Sequence, residues 1–189
     1  MKKIAAIDIS LCAVSIALHI VLEVLPFTTI RIGNDLKITL AALPFLIIAF
    51  LCGPVEGLVS GLLGTFLSQL LTFGITVTTP LWILPYAIQA LLAGIFFRKF
   101  QQKISVKVFG ISVFASGLAA VILNWAASYV DGVVVFKYLT LSVLLALIPV
   151  RLLVWAGVSA IYTLVTIPVT KALLRSCPAG IRAVQKSNS

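Results

Sequence analysis

Trp82, Tyr86 and Gln89 lie four and three residues apart, so a helix carries all three on one face. Asn124 and Ser128 repeat that spacing, with Trp125 and Tyr129 alongside, and Asp131 closes the run. Arg151, Trp155 and Tyr162 follow the same period further on. These sets suit no covalent chemistry. Aromatic rings stack, amides offer a donor beside an acceptor, and a guanidinium forks onto a carboxylate, carbonyl or phosphate. Together they suit non-covalent capture of a planar, heteroaromatic, hydrogen-bonding solute. An interfacial aromatic belt would account for Trp82 but does not call for Gln89 deeper along the same face. Three roles stay open for Arg151: a fork onto a ligand, a structural pair with Glu23 or Asp131, or snorkelling to a membrane surface.

The chemistry that is missing narrows the field. There is no G-x-x-x-x-G-K-[ST] loop for ATP, and neither G-x-S-x-G nor H-E-x-x-H for a hydrolase. His19 is the only histidine, and Cys12, Cys52 and Cys177 form no C-x-x-C pair, so no metal site or disulfide framework is expected. His19 and Glu23, spaced i to i+4, suit a proton relay, a structural pair or a pocket-lining pair. We expect no enzyme activity and no cofactor in this chain.

These residues must be positioned by membrane helices. The chain has 189 residues, 61% hydrophobic and only 10% charged, far from soluble proportions. The net charge of +9 does not indicate nucleic acid, because the basic residues sit at the ends of apolar stretches. Apolar stretches at 4–25, 38–52, 54–73, 81–97, 108–130 and 139–174 predict an all-α integral membrane protein: one six-span domain over 1–189. The first stretch resembles a signal peptide but is too long and lacks a small-x-small cleavage site, so it is read as a span. Gly53-Pro54 is the expected reversal between the second and third spans. The last stretch is too long for one upright helix, and carries Pro149 and Pro168; a half-helix followed by a span, or one kinked helix, both fit. Lys2, Lys3, Arg98, Lys99, Lys103, Lys107, Lys171, Arg175, Arg182 and Lys186 then fall on one side, against Arg31, Lys37, Lys137 and Arg151 on the other. The positive-inside rule places both termini in the cytoplasm, in a bacterial-type cell membrane.

Two features complete the reading. "PFTTIRIGNDLKIT" alternates like a short strand and turns at Gly33-Asn34-Asp35, so Arg31, Asn34 and Lys37 sit in an ordered external loop suited to a lid or to a solvated connector. Ala6, Ser10, Ala13 and Ala17 form a small-residue stripe on the first span, and Gly57, Gly61, Gly64 and Ser68 another on the third. Such stripes permit close helix approach in lipid, and Gly57, Gly61 and Gly64 are read together with the first span's stripe as one docking surface for a partner. If Asp8, Ser15, His19 and Glu23 face inward, the alanine stripe faces outward toward a partner.

The "AVSIA" stripe, the loop "RIGNDLKITLAALP", the turn "GPVEGLVSGLLG" and "TPLWILPYAIQALLAG" running to the basic "RKFQQK" occur in an order that resembles the substrate-binding S components of energy-coupling factor (ECF) vitamin transporters. The resemblance covers nearly the whole chain. It implies a six-span bundle that binds a vitamin or related micronutrient from outside under its first loop. It also implies a membrane scaffold subunit docked on the first span's small-residue face, at Ala13 and Ala17, and two cytosolic ATPases that power transport. "LPFLIIAFLCGPVEG" and "IPVRLLVWAGVSAIYTLVTIP" lean toward folate-type members, with riboflavin, pantothenate, a pyridoxine-like vitamin or a queuosine precursor as alternatives. The competing functions are a stand-alone proton-coupled secondary transporter and a ligand-free membrane assembly protein.

Overall fold

The computed structural model describes residues 6–25, 29–32, 36–100 and 105–176. Helix α1 (Ala6–Val24) leads through strands β1 (Thr29–Ile32) and β2 (Leu36–Thr39) to the short α2 (Leu43–Leu51). Long helices α3 (Pro54–Phe73), α4 (Thr79–Lys99) and α5 (Val106–Ser128) follow. A π-helical segment, Tyr129–Val135, extends α5, and α6 (Leu141–Ala146) and α7 (Ile148–Ser176) complete the chain.

Among the described residues five helices are long and apolar enough to cross a membrane: α1, α3, α4, α5 with its π-helical extension, and α7. The expected span at 38–52 is different. It comprises the end of β2 and the nine residues of α2, which at 1.5 Å per residue cover only about 14 Å of a roughly 30 Å apolar core. Its continuous apolar run serves burial instead. Eight of its nine residues are buried, because α2 lies inside the bundle against α1, α3, α4 and α7. The 139–174 stretch divides at Leu147 into a short helix and a long one.

The β1–β2 hairpin is antiparallel, pairing Thr29 with Thr39 and Arg31 with Lys37. Its end is tied down from two sides. The Tyr162 hydroxyl donates to the Thr39 carbonyl at 2.8 Å, and Nδ1 of fully buried His19 donates to the Ala41 carbonyl at 2.7 Å. His19 also meets Ser68 through Nε2 (3.3 Å) and packs on Phe45 with ring centroids 4.4 Å apart.

Glycines set how closely the helices approach. Gly53 has φ +138°, open to glycine but strained for other residues, and Pro54 begins α3 immediately after it. A Cβ on Gly57 would lie 2.7 Å from the Ala49 Cβ, one on Gly61 2.7 Å from the Ala87 Cα, and one on Gly64 2.5 Å from Phe45. The α3 stripe of Gly57, Gly61, Gly64 and Ser68 is therefore buried inside the bundle, which corrects its reading as a docking face. Small residues there let α2 and α4 approach the α3 backbone. On α1 the polar residues Asp8, Ser15 and His19 are buried, and Ala6, Ser10, Ala13 and Ala17 are exposed.

Away from the hairpin the core closes on Phe50, Phe97 and Phe109, whose ring centroids are 4.7–5.0 Å apart. At the hairpin's end, α3, α4, α5 and α7 part around a cavity.

Candidate functional site

The cavity measures about 470 Å³, within the range of small-molecule sites. Each wall is one helical stripe. Helix α3 contributes Thr65, Gln69 and Phe73; α4 contributes Trp82, Tyr86 and Gln89; α5 contributes Gly117, Asn124 and Ser128; and α7 contributes Arg151, Trp155, Ser159 and Tyr162. Arg151 and Tyr162 are eleven residues apart, so this wall runs about 16 Å along the helix.

The outer rim is a polar knot around Asp131, which is 8% exposed. The Thr78 hydroxyl donates to its Oδ1, and the Tyr138 hydroxyl donates to Oδ2 at 2.7 Å. The backbone makes this reach feasible. In the π-helical segment the Phe136 N–H donates to the Asp131 carbonyl five residues back, at 2.9 Å. Lys137 then adopts the left-handed φ of 54°, which turns the chain so that Tyr138 returns over the segment and the Leu139 N–H bonds the Gly132 carbonyl at 3.0 Å. Because Thr78 directly precedes α4, the Asp131 carboxylate sits at that helix's positive end. Below the rim, Arg151 Nη2 donates to the Ser128 hydroxyl at 3.1 Å. That bond holds the guanidinium along the wall.

Gln89 is 5% exposed, yet its amide tip opens onto the cavity and makes no side-chain hydrogen bond among the described residues. The amides of Asn124 and Gln69 also line the space. Among the described residues no group of His, Cys, Asp and Glu could hold a metal ion.

Seven of the residues expected from spacing come together here: Trp82, Tyr86, Gln89, Asn124, Ser128, Arg151 and Trp155. Trp125 and Tyr129 do not line the cavity. They stack on one another, centroids 6.2 Å apart, because the inward stripe of α5 runs Gly117–Asn124–Ser128–Asp131 and they lie about 100° round from it. Arg31 and Lys37 are paired strand positions in the hairpin, and Asn34 lies outside the described residues. Several lining residues were not among the expected contacts, including Thr65, Gln69, Phe136, Tyr138 and Ser159, while Glu23 takes the pocket-lining place that was one of its open roles. Thr65, Gln69 and Phe73 share an i, i+4, i+8 stripe that could have been found from spacing. Phe136 and Tyr138 carry no such signal, since only the turn at Lys137 brings that segment back.

Comparison with known proteins bears on this geometry. A family model described as "ECF transporter, substrate-specific component" matches residues 8–166. A solved structure of ThiT from Listeria monocytogenes superposes with a TM-score of 0.60 at 20% identity, over 93% of this chain and 97% of that one. No curated protein matches the sequence.

Proposed function

Taking as premise that the chain belongs to the ECF transporter substrate-specific component family, we propose that its outer cavity binds a vitamin or related micronutrient with high affinity for uptake. The family makes it a multi-pass membrane protein that serves transport rather than catalysis. One observation carries the proposal: a 470 Å³ cavity walled by Trp82, Tyr86 and Trp155 and by the amides of Gln69, Gln89 and Asn124. Aromatic walls with a few convergent polar groups are the usual make-up of a small-molecule site.

Energy for transport comes from elsewhere in this reading, through a membrane scaffold subunit and two cytosolic ATPases. The exposed Ala6, Ser10, Ala13 and Ala17 on α1 are the proposed docking stripe for the scaffold. Both termini are proposed to lie in the cytoplasm, with the cavity toward the outside. The folate-type preference rests on sequence resemblance and on Arg151, a cation for an anionic ligand group; Glu23 and Asp131 line the same space and oppose a second negative charge. The likeness to ThiT supports the fold.

Native mass spectrometry of gently purified protein, with a vitamin panel in a thermal-shift assay, tests the proposal. A co-purified vitamin with a matching rise in melting temperature is expected. A protein that carries no small molecule and responds to no panel member would rule it out.

A further inference from the structure

We propose that the ligand is a planar heterocycle presenting a hydrogen-bond donor beside an acceptor on one edge, and that the Gln89 amide is the group that reads this edge. The inference rests on the binding role proposed above and narrows its substrate class.

Gln89 is almost completely buried in the middle of α4, where neither lipid nor packed wall can satisfy an amide. Its tip faces the cavity, and among the described residues it has no hydrogen-bond partner. A polar group kept in that position implies an occupant that satisfies it. A primary amide carries its carbonyl and N–H₂ side by side in one plane, so it pairs best with a coplanar acceptor and donor. The surroundings keep the partner flat. Trp82 and Tyr86 lie on the same face of α4, and Trp155 stands across from them on α7. Rings stacked on those side chains would present their edges to the amide. Because the amide is neutral and can rotate by half a turn, it accepts either order of donor and acceptor and selects by edge pattern rather than charge.

The probes are riboflavin, folate and thiamine, whose rings carry such an edge, with pantothenate and pyridoxine, which lack one. Binding to the intact protein in nanodiscs is measured by calorimetry for the wild type, Gln89→Leu and Gln89→Met. One of the first three probes is expected to bind. Both variants should weaken it by at least about tenfold, the loss expected for a paired hydrogen-bond contact, with little change in the unliganded melting temperature. Best binding of pantothenate or pyridoxine would overturn the edge assignment while leaving the binding function intact. So would unchanged affinity in two variants that remain folded. If no probe binds and native mass spectrometry finds no small molecule, the binding function itself falls, and this inference with it.

Discussion

The residues around the cavity divide into those that line its walls and those that hold the rim. Arg151 belongs to the first group. Arg151→Ala is expected to weaken an anionic or carbonyl-bearing ligand by more than about tenfold, because loss of one partner of a buried charged contact is costly; titration of both proteins with the co-purified vitamin checks it. Asp131 belongs to the second. It accepts hydroxyls from Thr78 and Tyr138, which come from separate segments. Asp131→Ala should lower stability by about 2–4 kcal/mol, since hydrogen bonds to a charged group contribute about 1.5–3 kcal/mol each and part of the effect is shared. Melting in detergent followed by circular dichroism measures the change. Seven of the cavity-lining side chains, Trp82, Tyr86 and Gln89 among them, were readable from residue type and period alone. Trp125 and Tyr129 were misplaced because type and proximity in sequence do not resolve a rotation of about 100°.

Among the elements, the two small-residue stripes have opposite fates. Both permit close approach, and only the packed structure shows which has been used. The α3 stripe meets α2 and α4, so Gly61→Ala, with its Cβ 2.7 Å from the Ala87 backbone, should lose about 1–3 kcal/mol of stability. The α1 stripe is exposed, so Ala13→Trp and Ala17→Trp should melt like the wild type and retain ligand while failing to co-purify with the scaffold. Loss of ligand binding with assembly intact would contradict this assignment. The hairpin is a third case. Tyr162→Phe removes the hydroxyl that holds the Thr39 carbonyl, and is expected to accelerate amide exchange across 36–42 while leaving α3 to α5 protected. The reversal at Gly53-Pro54 and the strand-like alternation of the first loop were legible because glycine, proline and period-2 patterning act locally. That α2 is a buried half-helix was not legible, because an apolar run reads the same whether lipid or protein surrounds it.

For the whole molecule, the short α2 returns the chain so that α1 and α3 run parallel, and the alternation of α3, α4, α5 and α7 then gathers Arg98, Lys99, Lys107, Lys171 and Arg175 at the end where α1 and α3 begin. The cavity opens toward the other end. With the native cysteines replaced, Ser105→Cys should react with an impermeant thiol reagent only from the cytoplasmic side, and Val77→Cys, 86% exposed in the native chain, only from outside. In vesicles this chain alone should show no gradient-driven uptake. Uptake should require the scaffold and ATP-hydrolysing subunits. Accumulation by the chain alone would instead favour a secondary transporter.

By itself the sequence determined the solvent, the approximate number of helices and the residue types fit to hold a ring. Composition, helical period and turn residues act over a few positions and need no partner to be recognised. Tertiary structure decided which apolar run is inside rather than across the membrane, which small-residue stripe is already occupied, and how Thr78 meets Asp131. Each of these depends on which surfaces meet across dozens of residues. The cavity joins both kinds of information: its stripes are written locally, but it exists only because α3, α4, α5 and α7 pack with those stripes facing one space.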